Sequence, residues 1–433
     1  MGVSSLFGQE MTSDGALTNG RSVIFLFLHG GPSQFETFDP KMTAPEGIRS
    51  ATGEIATKLP GITFGSSFPK LAAVADKFSI VRSFSTGDGN HDIKPIVGRD
   101  TFGANLGSIH ARFAGSNDPV TGLPVNVLLQ PQSVDASTQP GVIDFGKFTA
   151  TGTLNPSYAP FDPSGTGGDL KQLTRNVPRE RLISRLAISR EFDAIKSSLD
   201  RYPGESSLRD QAFRLMTGGL EEAFDISRES PHVVDRYDTA PLVRPDSISK
   251  KWNNHKNYAD NAKSLGKLLL LARRLCERGA GFVTVTTNFV WDMHADANNA
   301  TMTEGMSYMG GPLDHALSAL VEDIEARGMS DKILVVACGE MGRTPRINAT
   351  GGRDHWGGLA PLFLYGGGMK PGQVIGRSNK DASFAADAPV GIKDLIGTIL
   401  ERTTHLDRIR RVTELPSEIS QIMTSWKPIP GLL

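Results

Sequence analysis

A chain of 433 residues is long enough to bury a sizeable core, as one large α/β domain or two modest ones. With 46 basic against 47 acidic residues and no dense Lys/Arg block, the composition gives no support to nucleic-acid binding. No apolar run approaches the ~20 residues a bilayer span requires, and two cysteines, Cys276 and Cys338, both inside apolar runs, describe no disulfide framework.

In chain order, residues 1–20 read as a polar tail, and residues 23–28 (VIFLFL) as a fully buried strand of a parallel sheet running into the glycine turn HGGPS. Residues 71–76 are helix-like, 78–85 (FSIVRSFS) form a second strand, and TGDGNHDIKPIVG follows as a polar loop. PVNVLL at 124–129 is a third strand. Residues 131–178 are rich in Pro, Gly, Ser and Thr and read as a surface excursion, whereas 180–229 space their apolar residues at three and four, as amphipathic helices do. YADNAKSLGKLLLLARRLCERGAGFVTVTT then gives a helix, a stop at Gly279 and a strand, and LDHALSALVEDIEARGMSDKILVVACGE repeats that plan with its stop at Gly328. PLFLYGGG and a helix near 392–402 complete the series. Helix-then-strand units in succession predict an α/β fold, a parallel-dominated sheet with helices on both faces. The expected layout is a single domain over 21–433 with a loop-rich and helical insertion at about 131–250.

In such sheets ligands bind beyond the carboxyl ends of the strands. His29 follows the first strand; Thr86, Asp88, His91 and Asp92 follow the second; Asp292 and His294 lie in NFVWDMHAD; Glu340 follows KILVVAC, and its loop goes on to Asp354 and His355. Taken singly, each of these residues also fits a loop-anchoring hydrogen bonder. Together they supply the mixed carboxylate and imidazole donors that a Zn²⁺ or Mn²⁺ site takes, and two such clusters side by side would hold two ions for displacement at phosphorus. Arg343, Arg346 and Arg353 carry planar forks suited to a phosphate or sulfate, and equally to pairing with loop carboxylates.

Several stretches carry a family resemblance: FLFLHGGPSQFETFDPK, KFSIVRSFSTGDGNHD, DHALSALVEDIEARGMSDKILVVACGEMGRTPRIN, GRDHWGG and YGGGMKPGQVIGRSN. Through them the chain resembles the DUF1501 proteins, a distant branch of the alkaline phosphatase and sulfatase superfamily. That resemblance implies an alkaline-phosphatase-like fold and a metal-dependent hydrolase of phosphate or sulfate esters. It implies Asp292, His294, Glu340 and His355 as metal ligands and one or two divalent ions; His29, standing where the superfamily has an acid, and Asp354, from its post-strand loop, are added to the candidate ligands. Ser83, Ser85 and Thr86 lie in the region of the superfamily's nucleophile, Thr86 being preferred, with His91 as general acid or ligand; Arg343 and Arg353, read from their forks, would hold the substrate anion. Against the superfamily plan, Met341 replaces a histidine and His29 an acid, and no Cys or Ser lies in an x-P-x-R sulfatase signature. Those departures leave open a binding or scaffold protein with a degenerate site. Family members resemble exported proteins, so an exported or periplasmic location is expected if a leader precedes this start, and a cytoplasmic one if the start is as written.

Overall fold

The computed structural model describes residues 16–164, 220–412 and 415–432. Its centre is a seven-stranded sheet: β1 (Ser22–Phe27), β2 (Ser79–Val81), β3 (Asn126–Leu129), β4 (Phe282–Thr286), β5 (Ile333–Cys338), β6 (Leu362–Gly366) and β7 (Val374–Ile375). In space the order is β7-β2-β6-β5-β1-β4-β3. β1 pairs in parallel with β4 and β5, β3 with β4, and β7 with β2, while β6 runs antiparallel to both β5 and β2. The expected parallel-dominated sheet is present, with one reversed strand that the apolar pattern of PLFLYGGG gave no means to orient.

Every residue of β1 and β5 is buried, as continuous apolar strands covered on both faces must be. The side chains alternate between two cores. Ile24, Leu26, Val283, Val285, Val335 and Ala337 face one core, packed on the long helices α2 (His255–Glu277) and α3 (Met302–Ala326). Val23, Phe25, Phe27, Leu334 and Val336 face the other, against α1 (Leu106–Ala114), α4 (Ile392–Thr403) and α5 (Ser417–Ser425). α1 and α5 were not read from the sequence, although α1 carries a recognisable N-cap, Asn105, whose side chain accepts from Gly107 N–H.

Residues 131–164 are not purely a surface excursion, since Phe148 and Leu154 enter the second core. Most of the helical stretch expected over 180–229 lies outside the described residues. Its end, Glu229, belongs to an ion network that ties α2 to α3. Arg273, with no side-chain exposure, lies 3.1 Å from Glu229, 2.8 Å from Glu277 and 2.9 Å from Asp323. Arg274 and Arg327 complete the network, at 2.7 Å and 3.3 Å from Glu229.

Burial opposes ionisation of Glu229, but the Arg273 and Arg274 guanidiniums override it and bring the carboxyl from 4.5 down to about 2. A depressed acid contributes stability that is complete above the unfolded value and is lost as the pH falls through the folded one. Glu229→Ala should therefore cost about 2 kcal/mol near neutrality, because it removes the carboxylate that Arg273, Arg274 and Arg327 share while Arg273 and Arg327 keep Asp323. In urea unfolding the gap to wild type should narrow once the pH drops below about 4.5.

Candidate metal centre

β4, β1 and β5 are neighbours in the sheet, so the loops leaving their carboxyl ends meet. Two glycines let them approach closely. Gly30 has φ +110°, and a Cβ there would stand 2.5 Å from Asp292 N; one on Gly352 would stand 2.2 Å from the His294 carbonyl carbon. The β4 loop bends sharply to deliver its side chains, with Asn288, Phe289 and Ala295 at φ of 55°, 63° and 59°. For a residue as bulky as Phe289 this is a strained conformation of the kind that collects at functional sites.

Asp292 is the hub. Its Oδ1 lies 3.2 Å from His355 Nε2 and 3.5 Å from His91 Nε2, and those two nitrogens are 3.0 Å apart. Its Oδ2 lies 3.0 Å from His294 Nε2 and accepts from Asn299 Nδ2 at 2.9 Å. Behind it, Arg343 Nη2 donates to Oδ1 at 2.6 Å. Burial opposes ionisation of Asp292, yet the Arg343 charge and the surrounding imidazoles hold its carboxyl well below the usual carboxylate range. Burial also depresses His91, but its bonds to Asp292 and Glu340 overturn that and raise its pKa. The bond to Asp292 raises His294 likewise.

Donor atoms bound tetrahedrally at about 2.0–2.1 Å stand about 3.3 Å apart. The 3.0, 3.2 and 3.5 Å edges of the His91–Asp292–His355 triangle match one face of such a tetrahedron. Ligand atoms from these three residues form a group able to hold a metal ion. Two imidazoles and a carboxylate suit Zn²⁺ or Mn²⁺, and three protein donors leave a position for water or substrate. The triangle opens on a cleft of about 430 Å³, also lined by Asp144, Phe145, Asn254, Asn257, Phe289 and Asp296. The Phe145 and Phe289 rings stack at 4.5 Å and flank the His91 imidazole at 5.0 and 4.8 Å.

The other anticipated residues stand outside the triangle. His294 lines the same cleft, contacts Asp292 through Oδ2, the carboxylate oxygen the triangle does not use, and sets its ring edge-on to His355 at 5.3 Å. Glu340, wholly buried, places its carboxylate on His91 Nδ1 at 2.9 Å and on Gly30 N–H at 2.9 and 3.2 Å. His29 packs among Phe27, Phe145, Phe148 and Phe289, with both ring nitrogens buried and unpartnered; burial lowers its pKa to about 4. Asp354 is exposed and accepts from Asn348 in its own loop.

The expectation of anion-binding arginines needs correction. Arg343 and Arg353 have no exposure, because their forks are spent on the backbone. Arg343 donates to the carbonyls of Gly30, Gly31, Trp291 and Arg353 as well as to Asp292. Arg353 donates to the carbonyls of Thr344, Pro345, Ile48 and Arg49 and to Glu36, and stacks on Phe35. Thr86 is buried, with its hydroxyl 3.5 Å from Asp88 O, and does not line the cleft. Sequence reasoning missed Phe145, Phe289 and the asparagines Asn254, Asn257 and Asn299. Only the proximity of Phe289 and Asn299 to WDMH could have signalled any of them.

An α/β sheet whose post-strand loops bring two imidazoles and a carboxylate to one point defines a protein with a candidate metal centre. The chain belongs to the DUF1501 family, described as a protein of unknown function, whose model matches residues 20–417. No curated protein matches it. Among solved structures it is similar to the PsFucS1 sulfatase from Pseudoalteromonas sp., at 13% identity over 89% of this chain and 68% of that one, with a TM-score of 0.37. It is also similar to the phosphonate monoester hydrolase of Agrobacterium radiobacter, at 12% identity over 88% and 73% of the two chains, with a TM-score of 0.33.

Proposed function

We propose that this protein is a metal-dependent hydrolase of a phosphate or sulfate ester, with a Zn²⁺ or Mn²⁺ ion held by His91, Asp292 and His355. The observation that carries the reading is the convergence of His91 Nε2, Asp292 Oδ1 and His355 Nε2 at ligand spacing on the wall of an open cleft. A degenerate site on a binding protein would leave donors pointing apart, so this convergence favours the hydrolase. The superfamily that the chain resembles suggests the ester class.

When bound, such an ion polarises an ester oxygen and lowers the pKa of coordinated water. The chain does the rest. Asp292 and the two imidazoles fix the ion's place, and Arg343 keeps Asp292 ionised without competing for the cleft. Phe145 and Phe289 keep solvent from one side of His91. Asn254, Asn257 and Asn298 offer neutral amides to the ester where arginines were expected. With Thr86 turned into its own loop, water is the nucleophile in this reading.

Elemental analysis of protein purified without chelator tests the proposal, together with His355→Ala. Wild type should hold close to one equivalent of zinc or manganese, and the variant less than about a tenth of that. Hydrolysis of p-nitrophenyl phosphate or sulfate should fall with the metal. Folded wild type that is metal-free and takes up neither ion would sink the reading.

A further inference from the structure

We infer that Glu340 is a positioning residue for the metal centre, acting through His91 rather than as a ligand: it fixes the tautomer and rotation of that imidazole so that Nε2 presents its lone pair to the ion. This rests on the metal reading above. The Glu340 carboxylate can only accept hydrogen bonds, so at 2.9 Å from Nδ1 it holds the imidazole proton on that nitrogen. A neutral His91 then has its lone pair on Nε2, the atom 3.0 Å from His355 Nε2 and 3.5 Å from Asp292 Oδ1. The opposite tautomer would set a lone pair against a carboxylate.

Glu340 cannot swing round to bind the ion itself without releasing Gly30 N–H, which it accepts through both oxygens. It cannot swing outward either, because it has no exposure. Charge supports the same assignment. A buried carboxylate needs compensation, and Arg343 is committed to Asp292. Among the described residues, the one ion-pair partner of Glu340 is His91. A cation beyond that imidazole therefore offsets the carboxylate behind it, the arrangement by which an outer carboxylate orients a ligating histidine and raises its basicity.

A double-mutant cycle on the full chain tests this, using Co²⁺ alone as a spectroscopic probe and Zn²⁺ in competition with a chromophoric chelator. Glu340→Gln keeps the shape and an acceptor for Gly30 N–H. It should weaken Zn²⁺ binding by about 10–100-fold and shift the Co²⁺ visible bands, with the far-UV spectrum unchanged. In the His91→Ala background the same substitution should have no further effect. An equal extra loss in that background would show Glu340 acting on the ion directly and overturn the assignment. So would wild-type affinity in Glu340→Gln, which would leave the residue as an anchor for the turn. If Glu340→Gln does not fold, the cycle is run with Glu340→Asp, which withdraws the charge from Nδ1, and is read in the same way. Wild type that binds neither ion overturns the metal reading and this inference with it, whereas an intact wild-type site indifferent to Glu340 overturns this inference alone.

Discussion

Arg343→Met should cost about 3–5 kcal/mol of stability, the range seen when one partner of a buried ion pair is removed. It should be the most damaging single change in the loop after β5. The side chain is fully buried and donates to four backbone carbonyls, on the β1 turn, the β4 loop and its own loop. Methionine fills much of the volume but satisfies none of those carbonyls, and each acceptor left buried and unpaired adds its own desolvation cost. It also strips Asp292 of the charge that stands 2.6 Å away. Urea unfolding at neutral pH gives the number directly. Arg343→Lys should recover only part of it, because an ammonium cannot span the carbonyls that a planar fork reaches. A loss below about 1 kcal/mol would mean that the three loops are held together by other contacts.

Asp292→Asn carries the second large effect, on metal affinity. Asparagine keeps the shape but loses the charge, and with it the carboxylate of the triangle and the counter-ion of Arg343. Removing a group behind a ligand costs about 10–100-fold in affinity. Losing a ligand's charge should exceed that, so Zn²⁺ binding by chelator competition is expected to fall at least about 100-fold. The variant should also be less stable without metal, because Arg343 remains buried with no anion beside it. The two substitutions separate the roles: Arg343→Met keeps the donors and loses the scaffold, while Asp292→Asn loses a donor. Near-wild-type affinity in Asp292→Asn would move the ion away from the triangle altogether.

Much of this fold was legible because period and punctuation carry it. The strands after Gly279 and Gly328 follow from apolar spacing and are present within a residue. The helices before them end where those glycines stop them, although α3 begins at Met302, eleven residues ahead of the LDHALSALVEDIEAR stretch that signalled it. The site was legible as a set of loops rather than as a set of partners. Which loops meet depends on β1 lying between β4 and β5, and strand order is a long-range fact that no local pattern encodes. Hence Asp292 and His355 were found together, while His29, one residue away from the same turn, faces four phenylalanine rings. The arginines show the same limit. A guanidinium suited to a phosphate is equally suited to several carbonyls, and burial, which composition does not reveal, decides between them.

The reversed strand has a mechanical consequence. Because β6 runs against β5, the chain leaving Cys338 re-enters the sheet at Leu362 directly opposite, and residues 339–361 never leave the cleft end. Midway, Gly342 and Arg343 pair with Trp356 and His355, so the segment is cross-tied as well as pinned at both feet. It is a braced arch rather than a hanging loop. A displacement imposed on Arg343 must reach His355 across that tie, and beyond it the crown of the arch is fastened in turn, by Ile347 N–H to the Gly47 carbonyl, Arg353 N–H to the Met293 carbonyl and Asn348 Nδ2 to the His294 carbonyl.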